Sequence, residues 1–234
     1  MHSKRVLIVG GSSGIGAAAA SAFADQGAEV TISSRNPAKL ESVAGRTNHR
    51  LETAVLDITR NDEVESFFAR REAFDHVVVS AAQTATGPVR QLPLEAAVDA
   101  MDSKFWGAYR VARAARIQSG GSLTFVSGFL SVRPNKMSVL QGAINAALEA
   151  LARGLALELS PVRVNVVSPG LIQTPLWSKM EEDARKNMFE SASNRLPVRR
   201  VGQPEDVAQA IVYLASNGYA TGSTVLVDGG GAIA

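Results

Sequence analysis

A chain of 234 residues, 46% hydrophobic and 20% charged, has the make-up of a soluble globular protein and is long enough for one large core. Its 24 Lys and Arg stand against 22 Asp and Glu, a net charge of +2 with no block of like charge, so the sequence points to no nucleic acid and no membrane surface as partner. The absence of cysteine excludes disulfides, thiolate metal sites and cysteine nucleophiles, and the scattered His2, His49 and His76 leave no metal site to expect.

The first apolar run, "RVLIVG" at 5–10, meets glycine too early for a signal peptide and reads as a strand. No apolar segment approaches the ~20 residues that span a bilayer, and a cytoplasmic protein is expected. Further strand-like runs follow at 28–33, 51–57, 75–81, 122–127, 162–168 and 223–228. Several are nearly continuous in Val, Ile and Leu, the pattern of parallel strands buried on both faces. Helical patterns fall between them, near 15–26, 37–44, 61–72, 93–117, 138–159, 175–190 and 204–216. Strict alternation of strand and helix predicts α/β architecture, a doubly wound parallel sheet in a single domain spanning 1–234.

Residues 171–200 interrupt that rhythm. The segment is long and amphipathic and carries Trp177, Met180, Met188 and Phe189. It reads either as a surface helix packed on the body or as a lid over a substrate, since long connections in compact domains are often functional.

Between the first strand and the first helix lies "GGSSGIG", with Gly10, Gly14 and Gly16 spaced by Ser12, Ser13 and Ile15. Glycine allows a tight turn and close approach of backbone N–H groups to a phosphate, and the helix start adds unpaired donors and partial positive charge. In a β-turn-α context this predicts a dinucleotide site.

The spacing Gly-x-x-x-Gly-x-Gly, together with Asp57, "VRVNVVSPGLIQTP" at 162–175, "RVGQPEDVAQAIVYLAS" and "TGSTVLVDGG", resembles the short-chain dehydrogenase/reductase family over essentially the whole chain. The resemblance implies a seven-stranded parallel sheet, a nicotinamide cofactor and a homo-oligomer, dimer or tetramer, built on the long helices. It places Ser34 where an NAD site usually keeps a carboxylate for the ribose hydroxyls. Ser34 and the adjacent Arg35 suit a 2′-phosphate instead, which predicts NADP. It also implies that Asp57 and Ile58 border the adenine, that Ser80, Ala81, Ala82 and Gln83 line the ribose, and that Pro169, Gly170, Ile172 and Thr174 embrace the carboxamide.

The same resemblance implies four catalytic side chains, Asn, Ser, Tyr and Lys, and this chain replaces all of them. Asn145 stands at the Lys position, Gln141 at the Tyr position, Gly128 at the Ser position with Ser127 just before it, and Lys104 at the Asn position. Gln141 has no titratable proton and Asn145 no charge. Lys104 is either an exposed lysine on an interface helix or a replacement cation and proton donor. Lys136, before the helix, is a surface charge or a second donor.

Two functions follow. The first is an NADP-dependent oxidoreductase acting on a small, apolar carbonyl or alcohol by an unusual proton route through Ser127, Gln141, Asn145 and Lys104. The alternative is a noncatalytic NADP-binding sensor or partner subunit.

Overall fold

The continuous apolar runs become central parallel strands. The computed structural model describes residues 1–47, 49–83 and 85–234. Its strands are β1 (Arg5–Val9), β2 (Glu29–Ser34), β3 (Glu52–Val55), β4 (Phe74–Val79), β5 (Ile117–Val126), β6 (Arg163–Pro169) and β7 (Thr224–Val227). They form one seven-stranded sheet in the order β3-β2-β1-β4-β5-β6-β7, parallel throughout. The helices are α1 (Gly14–Ala24), α2 (Pro37–Ala44), α3 (Asn61–Ala69), α4 (Leu94–Met101), α5 (Gly107–Ala114), α6 (Val139–Glu158), α7 (Glu182–Arg195) and α8 (Pro204–Ser216).

Successive side chains of a strand face opposite sides of the sheet, so an unbroken apolar strand feeds two cores. Val6 and Ile8 join Phe23, Ile32, Val78, Val207 and Ile211 on the α1–α8 side. Leu7 and Val9 join Phe68, Phe125, Leu148 and Val164 on the α3–α5–α6 side. Each such fully buried side chain contributes about 1.5–3 kcal/mol, so both faces are held and the strand ends are fixed in place. Strand order reverses between β1 and β4, and the crevice past their carboxyl ends is where such sheets bind ligands.

Two expected elements differ in detail. The single helix expected over 93–117 is α4, a π-helical turn at Asp102–Trp106, then α5, and β5 already begins at Ile117. The pattern expected near 175–190 is a short 3₁₀ turn, Pro175–Trp177, followed by α7. Among the described residues, no helix is long and apolar enough to cross a membrane, and no group of three or more His, Cys, Asp or Glu could hold a metal ion.

Candidate active site

The crevice is built first from backbone. Gly10 has φ +91°, open to glycine and costly for other residues, and a Cβ there would strike the Ala81 backbone nitrogen. A Cβ on Gly16 would strike the Gly10 carbonyl oxygen. The turn therefore closes only with hydrogen at both positions, and it brings β1, α1 and the Ser80–Ala81 end of β4 into contact. Ala81 N–H donates to the Val9 carbonyl at 3.1 Å. Ser13 precedes α1 in extended conformation and makes no side-chain cap among the described residues, so the first-turn N–H groups of α1 suit an anion. Ser12 is half-buried and Ser13 exposed, with Ile15 half-buried behind them.

Two loops flank the turn. Thr174 packs over Gly14, a Cβ on which would sit 3.3 Å from the threonine side chain, so the 169–174 segment overhangs the glycine turn. That segment is fixed by Gly170 N–H to the Val227 carbonyl at 3.0 Å, beyond Pro169 at the end of β6, and by a bridge between Ile172 and Gly202. On the other side, Arg35 at the end of β2 donates to Gln83 Oε1 at 2.7 Å. Gln83 is itself tied by its N–H to Ser103 Oγ at 2.8 Å. Ser34 Oγ accepts from Asn36 N–H at 3.3 Å, in the turn that opens α2. Asp57 Oδ1 accepts from both Thr59 N–H and Thr59 Oγ, while the buried Ile58 packs against Gly107. Ala82 is exposed at the crevice rim.

The end of the crevice toward α6, where the sequence reading expects the reaction, is built from side chains and is closely packed. Lys104 lies in the π-helical turn, a rare form that often marks functional positions. It is not an exposed lysine. Its ammonium turns inward and donates to the Ser127 carbonyl and to Asn145 Oδ1, each at 2.7 Å. Burial pushes Lys104 down from 10.5 to about 8, and the Glu149 carboxylate opposes that shift. Asn145 is 3% exposed and sits on α6 with its amide nitrogen against Gly128. A Cβ at Gly128 would come within 2.7 Å of that nitrogen, so the missing side chain at 128 is what makes room for Asn145.

Ser127 directly follows β5 and its hydroxyl donates to Glu149 Oε1 at 2.9 Å. Ser131 Oγ donates to the same oxygen at 2.7 Å. Glu149 is 8% exposed. Nothing in the sequence reading singled it out, although the signal was present: Gln141, Asn145 and Glu149 recur every four residues and so form one stripe on α6. Gln141 is half-buried at the start of that stripe, and Lys136 is exposed in the preceding loop.

The 171–200 segment continues from the strip in which Thr174 overhangs Gly14. Trp177 Nε1 donates to the Ile172 carbonyl at 2.9 Å, fastening the start of the segment to the 169–174 strip. A cavity of about 560 Å³ lies along α7, lined by residues that include Gln173, Glu182, Arg185, Lys186, Phe189 and Glu190. Of the apolar set singled out in the sequence only Phe189 reaches its wall, beside the aliphatic stems and polar ends of polar and charged residues.

Comparison with known proteins agrees with this architecture. The family model described as enoyl-(acyl carrier protein) reductase matches residues 9–231. The chain is 31% identical over 245 residues to the 3-oxoacyl-(acyl-carrier-protein) reductase FabG of Thermotoga maritima, covering 98% of each chain. It is 32% identical to the short-chain dehydrogenase/reductase fsr5 of Gibberella fujikuroi, covering 97% of this chain and 93% of the relative. Among solved structures, a small-chain dehydrogenase in complex with NADPH superposes with a TM-score of 0.85 at 34% identity, covering 99% of this chain and all of the other. Glycine turn, sheet order and full-length matches lead to one conclusion: the chain belongs to the short-chain dehydrogenase/reductase family of oxidoreductases.

Proposed function

We propose that the protein is an NADPH-dependent reductase of a small carbonyl compound, with Lys104 in place of the family's usual acid. The cofactor reading rests on fit. The uncapped start of α1 and the glycine turn suit a pyrophosphate, Ser34 and Arg35 suit a 2′-phosphate, and the small residues Ala81 and Ala82 allow a ribose to approach closely. The similarity to a dehydrogenase solved with NADPH supports the same choice. Pro169, Gly170, Ile172 and Thr174 would hold the nicotinamide end, and Asp57 and Ile58 the adenine. When bound, NADPH supplies a hydride.

The remaining chemistry belongs to side chains. Gln141 orients the substrate oxygen by hydrogen bonding but cannot protonate it. The Asn145 carbonyl is occupied by Lys104, so its amide nitrogen is the group offered to a ribose hydroxyl. Ser127 gives its hydroxyl to Glu149 and serves the site through its carbonyl, which helps to fix Lys104. An ammonium has three N–H groups, and two are taken; the third is the proton source. The observation that carries this reading is the inward turn of Lys104, with burial bringing its proton into a usable range. Residues 171–200 form the lid. Trp177, Met180 and Phe189 in that segment favour a small, apolar carbonyl or alcohol as substrate. A homo-oligomer in the cytoplasm completes the proposal.

The test is transfer of deuterium from stereospecifically labelled NADPH to a panel of ketones, aldehydes, imines and activated alkenes. Labelled product, with turnover level below about pH 8 and falling above it as Lys104 loses its proton, is the expected result. Tight NADPH binding without any transfer would favour the second reading, a noncatalytic NADP-binding sensor or partner subunit, for which Gln141 at the acid's position is the specific support.

A further inference from the structure

Below Asn145 the core contains a second charge that the proposed reaction does not use. Glu149 is buried on the third step of the α6 stripe, and no cation lies within ion-pair distance of it among the described residues. Its hydrogen-bonding partners are the neutral Ser127 and Ser131 hydroxyls. Lys104 is in the mirror situation, with neutral acceptors only. A lone buried charge is expensive, and a pair is tolerated only where each charge is hydrogen-bonded and offset by the other. Ser127 joins the two. Its carbonyl accepts a hydrogen bond from Lys104 while its hydroxyl donates one to Glu149, so one residue fixes the spacing between the charges.

The other charged groups on the surrounding elements are engaged or exposed. Asp102 of the π turn is paired with Arg110 at 2.7 Å, and Arg163 of β6 donates to the Leu214 and Ala215 carbonyls of α8. Arg133, Lys136 and Arg153 are exposed.

We propose that Glu149 is a positioning residue of this site: acting through Ser127, it supplies the negative charge that holds the Lys104 ammonium inward and protonated. Its importance for turnover rests on the donor role given to Lys104 above, but its effect on Lys104 does not.

The experiment is a ¹³C NMR titration of the full-length protein labelled at the lysine ε-carbon, with the Lys104 signal identified by its loss in Lys104→Met. In Glu149→Gln the Lys104 midpoint falls by about one pH unit or more, a tenfold change in protonation, while Glu149→Asp keeps it near the original. An unchanged midpoint in folded Glu149→Gln overturns the proposal. Should Glu149→Gln fail to fold, the unaltered protein decides: the Glu149 side-chain carboxyl carbon must shift with the Lys104 midpoint, as two interacting groups do, and an indifferent carboxyl signal overturns the proposal. The pH profile of NADPH-dependent reduction is read separately. A Lys104 midpoint that moves while the turnover profile stays fixed removes the donor role and leaves the Glu149 assignment standing.

Discussion

The two ends of the crevice are made of different material. At the nucleotide end the working surface is backbone: the Gly10–Gly16 turn, the first-turn N–H groups of α1, and the Ala81 strip pressed against Gly10. At the end proposed for the reaction the surface is a set of side chains, Lys104, Ser127, Asn145 and Glu149, locked together by hydrogen bonds of 2.7–2.9 Å. A backbone surface admits few solutions, because almost any added atom collides. A side-chain surface can be rebuilt with other residues, provided that volume, hydrogen bonds and charge are satisfied together. That contrast explains how a chain can keep its family's cofactor turn while carrying Lys104 and Asn145 in positions where the family's Asn and Lys are expected.

The comparison predicts separable defects. The largest is Gly16→Ala, whose methyl meets the Gly10 carbonyl; calorimetry should show NADPH binding lost, with roughly 1–3 kcal/mol of stability. Next comes Lys104→Met, which should cost about 10²–10⁴ in turnover and abolish the fall in rate above about pH 8, while NADPH affinity changes little. If this variant lost NADPH as completely as Gly16→Ala, the division between the ends would fail. Arg35→Ala should weaken NADPH by roughly 10–100-fold and leave NADH almost untouched, the scale of a lost hydrogen bond to a charged phosphate; equal losses for both cofactors would remove Arg35 from the 2′-phosphate. The smallest effect is a coupling. Lys104→Asn and Asn145→Lys made together should be more stable than the sum of the single changes implies, by about 0.5–3 kcal/mol, and simple additivity in thermal unfolding would show that their contact carries no energy.

The sequence carried the two ends unequally as well. Glycine spacing and apolar strands are local patterns, so the turn, the sheet and α2, at 37–44, were legible. The inward direction of Lys104 was not, because a π-helical turn closes i→i+5 and a regular helical period cannot say which way its residues face. Glu149 lay on the visible stripe with Gln141 and Asn145, yet its partners Ser127 and Ser131 come from the segment just past β5, distant in sequence from α6. The Arg35–Gln83 contact likewise joins residues that are distant in sequence and meet only where β2 and β4 end on either side of β1.

Gly128 has a consequence for mutational paths. A serine installed there first would place its Cβ 2.7 Å from the Asn145 amide nitrogen, against a side chain already held by Lys104. A side chain at 128 can therefore enter only if the Asn145 amide gives way, and that amide is held at its oxygen by Lys104. Substitutions at 128 and 145 should accordingly be non-additive, a smaller residue at 145 easing the entry of a side chain at 128. The glycine ties the choice of residue at one position to the choice at the other.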